Sequence, residues 1–99
     1  MTCGYSKYEL YIIWKICYKN RWCNKHISKE DLCSGRPKHE INLYKDAVNK
    51  LVRNGLLKEY PSQGRLDVCI PKQNRSKAIE ALEHHQIEYD FIRYIDFIR

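Results

Sequence analysis

SKEDLCSGRPKHEINLYKDAVNKLVRNGLLKEYPSQGRLDVCI, residues 28–70, decides the fold. Ser28-Lys29-Glu30-Asp31 sets a hydroxyl where it caps the free N–H groups of a helix start, with two carboxylates in the first turn, where the helix dipole favours negative charge. Leu32 and Cys33 give this short helix an apolar side. Ser34-Gly35-Arg36-Pro37 stops it, because glycine tolerates a left-handed C-cap and proline disfavours a helical residue before it. From Lys38 onward Ile41, Tyr44, Val48, Leu51 and Val52 recur on one helix face, and Asn54-Gly55 ends the pattern. Residues 56–60 and 65–70 are strand-like runs, and Pro61-Ser62-Gln63-Gly64 between them predicts a hairpin with a four-residue turn.

Outward from this core, the chain keeps to simple elements. Ser6-Lys7-Tyr8-Glu9 has capping-box spacing and predicts a first helix to about Asn20, with Leu10, Ile13, Trp14 and Cys17 inward. Lys15, Lys19, Arg21 and Lys25 fall on its outer side or in the following loop. After Pro71, Asn74 or Ser76 caps a fourth helix running to about His85, with Ala78, Ile79 and Leu82 inward. The tail reads two ways. Ile87, Phe91, Tyr94 and Ile98 form a helical stripe, whereas Ile87, Tyr89 and Phe91 alternate with Glu88 and Asp90 as in a strand. A break near residues 85–87 is expected. The apolar tail must pack on its own body or on a second subunit, and a homodimer contact through Ile87, Phe91, Tyr94 and Ile98 is the preferred use.

The stretch LYKDAVNKLVRNGLLKEYPSQGRLDVCI, above all Arg53-Asn54-Gly55-Leu56-Leu57 running into a charged hairpin, resembles the recognition helix and wing of winged helix-turn-helix transcriptional regulators, especially small archaeal and archaeal-viral ones. The resemblance covers roughly residues 6–85. It implies an α+β, mainly α, fold: a three-helix core plus a β-hairpin wing, here with a C-terminal helix and an apolar extension. Residues 1–75 would form the winged-helix part, and residues 76–99 the helix and extension of the same compact domain. Such proteins are usually dimers that set their third helix in the major groove of double-stranded DNA.

Rotation at 100° per residue places His39, Asn42, Asp46, Asn49, Lys50 and Arg53 opposite the apolar stripe, with Leu43 among them. Asn pairs bidentately with adenine, and Arg or Lys reaches guanine. Asn42, Asn49 and Arg53 therefore suit base edges, His39 a base or a phosphate, and Leu43 a thymine methyl, with Lys50 a further DNA contact on the same face. Lys38, at the start of the same segment, joins them as a DNA contact. Asp46 fits less well beside phosphates. On the hairpin, Ser62, Gln63 and Arg65, flanked by Lys58 and Lys72, form a polar, basic tip suited to the minor groove or its phosphates. A solvated helix face and a plain surface hairpin are the competing readings.

Charge agrees with a nucleic-acid partner. The 99 residues carry a net +6, but residues 1–75 hold 15 Lys and Arg against 7 Asp and Glu, a balance of +8, and residues 76–99 hold 3 against 5, a balance of −2. A basic body with an acidic tail fits a phosphate-binding module whose last segment faces protein. The longest apolar run, residues 10–14, falls far short of the roughly 20 residues that span a bilayer. With no basic and apolar leader at the start, the expectation is a cytoplasmic protein without membrane contact, in the host cytoplasm if viral.

The five cysteines admit three readings. Cys17, Cys23, His26, Cys33 and His39 include enough ligand types for zinc, but at irregular spacing. Burial as free thiols is preferred, with Cys17 and Cys33 on inner helix faces and Cys69 on the inner face of the hairpin. Structural disulfides are the third, consistent with the intracellular proteins of hyperthermophiles, whose composition the Lys-, Tyr- and Ile-rich sequence matches. No metal, cofactor or catalytic residue is expected: serine elbow, phosphate-cradling glycine loop and H-E-x-x-H are all missing, and His84-His85 diverge by about 100° on a helix. The expected function is sequence-specific DNA binding that regulates transcription, against the alternative of a winged-helix protein-interaction adaptor.

Overall fold

Ser6 opens the first helix by a reciprocal cap: its Oγ accepts from the Glu9 N–H at 3.2 Å, and Glu9 Oε1 accepts from the Ser6 N–H at 2.7 Å. The helix, α1 (Lys7–Tyr18), buries far more than one stripe. Leu10, Ile12, Ile13, Ile16 and Cys17 are all fully buried, while Trp14, expected inward, is only partly covered. The difference follows from its neighbours. Helices α2 (Lys29–Cys33), α3 (Ile41–Arg53) and α4 (Arg75–His84) all pack on α1, so it has several inner faces. The structure, a computed structural model, describes residues 5–23, 25–86, 89 and 92.

Ser28 caps α2 as expected, its Oγ accepting from the Asp31 N–H at 3.0 Å, and Leu32 and Cys33 are buried. Gly35, at φ +80°, ends it. The next α-helix starts later than the sequence suggests: Pro37 is extended, Lys38–Glu40 forms a 3-10 turn, and only then does α3 begin. Proline holds its own φ but gives no N–H, so the chain first turns tightly, with the Glu40 N–H donating to Pro37 O at 2.9 Å. Tyr44, Ala47, Val48 and Leu51 bury the inner face, and Gly55 at φ +88° closes the helix.

Strands β2 (Lys58–Ser62) and β3 (Arg65–Cys69) form the expected hairpin, but its turn is two residues long. Ser62 pairs with Arg65, and Gln63 and Gly64 take φ of +49° and +81°, the twist that matches two antiparallel strands. Pro61 thus belongs to β2, which it tolerates because β2 is an edge strand. A third strand, β1 (Ile27–Ser28), pairs with the other side of β3, Ile27 opposite Val68 and Ser28 opposite Asp67. The sheet is antiparallel in the order β1-β3-β2.

The β1–β3 pairing corrects the cysteine reading. It brings the Cα atoms of Cys23 and Cys69 to 4.9 Å, within disulfide range, and the two are bonded. Cys17 and Cys33 remain free thiols, both buried, and burial pushes the Cys17 thiol up to about 12. Among the described residues no three Cys, His, Asp or Glu side chains gather around a metal position.

Asn74 precedes α4 without capping it. Its Nδ2 instead donates to Gly55 O at 3.0 Å and Leu56 O at 3.1 Å, tying α4 to the α3–β2 connection. Ala78, Ala81 and Leu82 are the buried side of α4, and Ile79 is only half-covered. The helix ends at His84, near the expected break. Beyond it Ile92 is fully buried in the same core, with Tyr89 against it. Ile87, Phe91, Tyr94 and Ile98 lie outside the described residues. The architecture is α+β and mainly helical, compatible with a winged-helix layout, and none of the described helices is long and apolar enough to cross a membrane.

Candidate nucleic-acid interface

Because Tyr44, Ala47, Val48 and Leu51 pin α3 to the core, the opposite side of the helix is fixed in direction. Asn42, Asp46, Asn49 and Arg53 fall within about 60° of one another there, with Leu43 and Lys50 on one flank and Lys45 on the other. All seven are exposed, and Leu43 keeps 45% of its surface in solvent. Lys38 and His39 are exposed too, but on the 3-10 turn, so His39 does not continue the α-helical phase of Asn42, Asn49 and Arg53.

Between α3 and the hairpin runs a cleft of about 590 Å³, walled by Lys45 and Asn49 on the helix, Lys29 and Glu30 at the start of α2, and Pro61, Gly64, Arg65 and Leu66 on the hairpin. It brings together two of the sequence-predicted residues, Asn49 and Arg65. Lys38, His39, Asn42, Leu43, Lys50, Arg53, Ser62 and Gln63 do not line it; Ser62 is half-buried in β2, and Gln63 stands exposed at the tip. Lys45, Lys29 and Leu66 are cleft residues that the sequence reading missed. Lys45 carried a signal, its place about 60° from Asn42 on the free side of the helix. Leu66 carried a weaker one, an apolar residue one step from a turn.

Polar ties fix the cleft. Lys29 Nζ donates to Asn49 Oδ1 at 2.9 Å and pairs with the Glu59 carboxylate, linking α2, α3 and β2. The bidentate adenine contact expected of Asn49 is therefore not preformed: its carbonyl oxygen already accepts from Lys29, which would have to release it. Arg65 Nε donates to Asp67 Oδ1 at 2.9 Å; Asp67 is buried and the Arg65 side chain is 55% exposed. A buried carboxylate thus holds one edge of the guanidinium and leaves much of the group in solvent.

Of the outer cations of α1 and its loop, Lys15 is taken. It donates to Asp31 O at 2.8 Å and Leu32 O at 3.4 Å, serving the last carbonyls of α2, so it turns toward α2 instead of outward. Lys19 and Lys25 are exposed. Arg36, in the turn after α2, lies over the Tyr11 ring at 4.5 Å and the Tyr44 ring at 5.9 Å. Tyr8 and Tyr11 meet Tyr44 edge-on at 4.9 and 5.3 Å, so these tyrosines serve the α1–α3 junction rather than a base-stacking surface. His84 and His85 have ring centroids 5.8 Å apart at 71°. No family model, curated protein or solved structure matches this chain.

Proposed function

We propose that this chain is a winged-helix protein that binds double-stranded DNA and regulates transcription by occupying an operator, without catalysis and without a cofactor. One observation carries the reading: the polar face of α3, which the core does not use, and the hairpin meet across a cleft walled by Lys29, Lys45 and Arg65. The balance of +8 over residues 1–75 supports it. In this reading Asn42, Asn49, Lys50 and Arg53 address base edges, and Leu43 a thymine methyl. Lys38, His39, Lys45, Ser62, Gln63 and Arg65 position the duplex through its backbone.

Selection of bound sequences from random duplex DNA tests it. A defined motif should emerge, and Asn42→Ala and Arg53→Ala should each cost about 1 to 3 kcal/mol on that motif while relaxing preference at one position. Recovery of no motif removes sequence-specific reading. Pairing of two protomers belongs to the same proposal, since two linked modules reach two half-sites. Tyr89 and Ile92 pack on their own chain, which leaves that contact to Ile87, Phe91, Tyr94 and Ile98. Sedimentation equilibrium should give a dimer; a monomer removes the pairing and leaves duplex binding to stand.

The exposed Leu43 and Leu66, at 45% and 44%, favour a second reading, a protein-interaction adaptor. Partner binding indifferent to salt, with no duplex binding, would select it.

A further inference from the structure

A second cavity, of about 250 Å³, opens where the end of α1 and the following loop meet β1, α2 and Arg65. Lys15, Lys19, Arg21, His26 and Arg65 wall it, with Asp31 the one carboxylate among them. At about 30 Å³ per water, the space equals roughly eight water molecules, ample for a small oxyanion and some of its hydration. We propose that this cavity is a binding site for a phosphate group.

Three observations single it out from an ordinary basic surface. Arg21 sits on fixed backbone: its N–H donates to Ile16 O and its carbonyl accepts from the Ile70 N–H, each at 3.0 Å, and the Cys23–Cys69 bond ties down the loop two residues on. Among the described residues its buried Nε has no hydrogen-bond acceptor, an arrangement that costs free energy until an acceptor arrives. The His26 ring, stacked on Tyr60 with centroids 4.3 Å apart and planes 6° from parallel, forms a fixed wall.

The charges also lack an internal balance. Lys15 is spent on the α2 carbonyls, and Arg65 is held by Asp67, but among the described residues Lys19 and Arg21 form no ion pair. Burial first, then the positive charges of Lys19 and Arg36, pull the Lys15 ammonium below its ordinary range. An incoming anion relieves that repulsion. Donors on several sides suit the tetrahedral array of phosphate oxygens better than a planar carboxylate, which one guanidinium fork would satisfy.

The site does not depend on duplex binding, and its test separates the two. Inorganic phosphate is titrated into the full chain at constant ionic strength, with chloride as the balancing anion, while amide and arginine Nε–H resonances are followed. The Arg21 Nε–H signal should move along a single saturating curve. Arg21→Gln should weaken binding by about tenfold, the scale of one charge-assisted hydrogen bond, and the exposed Lys19→Gln by a few-fold. Lys19→Gln carries the test if Arg21→Gln fails to fold. Shifts that never saturate, that chloride alone reproduces, or that both variants retain would overturn the proposal. If phosphate then competes with a DNA duplex for the chain, the site takes backbone phosphates; if it binds alongside the duplex, it takes a free phosphorylated molecule.

Discussion

At one end of β3, Arg65 and Leu66 stand exposed beside the cleft, whereas at the other Asp67, Val68 and Cys69 are buried and Cys69 is bonded to Cys23. Both ends share the antiparallel ladder with β2, but only the buried end also pairs with β1. The contrast separates residues the fold needs from residues it leaves free. At the buried end Val68 joins the hydrophobic core, so its identity is set by volume and hydrophobicity, while Cys69 is fixed by its bond to Cys23. At the exposed end Leu66 faces solvent, for which folding alone gives no reason, and Arg65 answers the buried Asp67 carboxylate while leaving much of its guanidinium in solvent. Asp67 joins the two regimes: buried itself, it orients the Arg65 guanidinium.

The largest effect that sharpens this contrast is the disulfide. Closing a loop with a sequence separation of 46 restricts the unfolded chain, and Cys23→Ser should lower unfolding stability by about 4 kcal/mol, measured by urea titration. A loss close to zero would mean that the β1–β3 seam holds without it. Next comes Val68→Ala, at fully buried Val68, expected to cost about 2 kcal/mol, while Leu66→Ala two positions away should stay within about 0.5 kcal/mol. Equal losses at the two sites would erase the distinction between the ends. Smallest is Gln63→Asn at the turn. Gln63 sits at φ +49°, where asparagine is more at ease, so a gain of about 0.5 kcal/mol in unfolding stability is expected. A loss would show that the Gln63 side chain has work at the tip beyond its backbone.

What was legible in the sequence follows the same division. Local hydrogen-bond chemistry was readable: the Ser6–Glu9 box, the Ser28 cap and the Gly55 stop each act within a few residues, and each stands where its pattern put it. Non-local pairing was not. Strand β1 has only Ile27 and Ser28, too short for any period, and exists because β3 offers it an open edge. The Cys23–Cys69 bond depends on that register, so no count of cysteines could select it. On α3 the free face was readable from periodicity, but not that Lys29, 20 residues before Asn49, would occupy its amide oxygen. Nor did the strand pattern show that the hairpin turn would shrink to Gln63 and Gly64, lengthening β2 through Pro61 and Ser62.

In the proposed function the free face of α3 and the exposed end of β3 together hold a DNA duplex. Fluorescence anisotropy of a labelled duplex, titrated with the full chain over a series of salt concentrations, tests it most directly. With about five phosphates neutralised, log affinity should fall against log salt with a slope of about −4 to −5. Lys45→Gln and Arg65→Gln should each reduce that slope by about one, with no change in the thermal midpoint for the exposed Lys45. Absence of saturable binding at low salt, or a slope unchanged in both variants, would contradict the account.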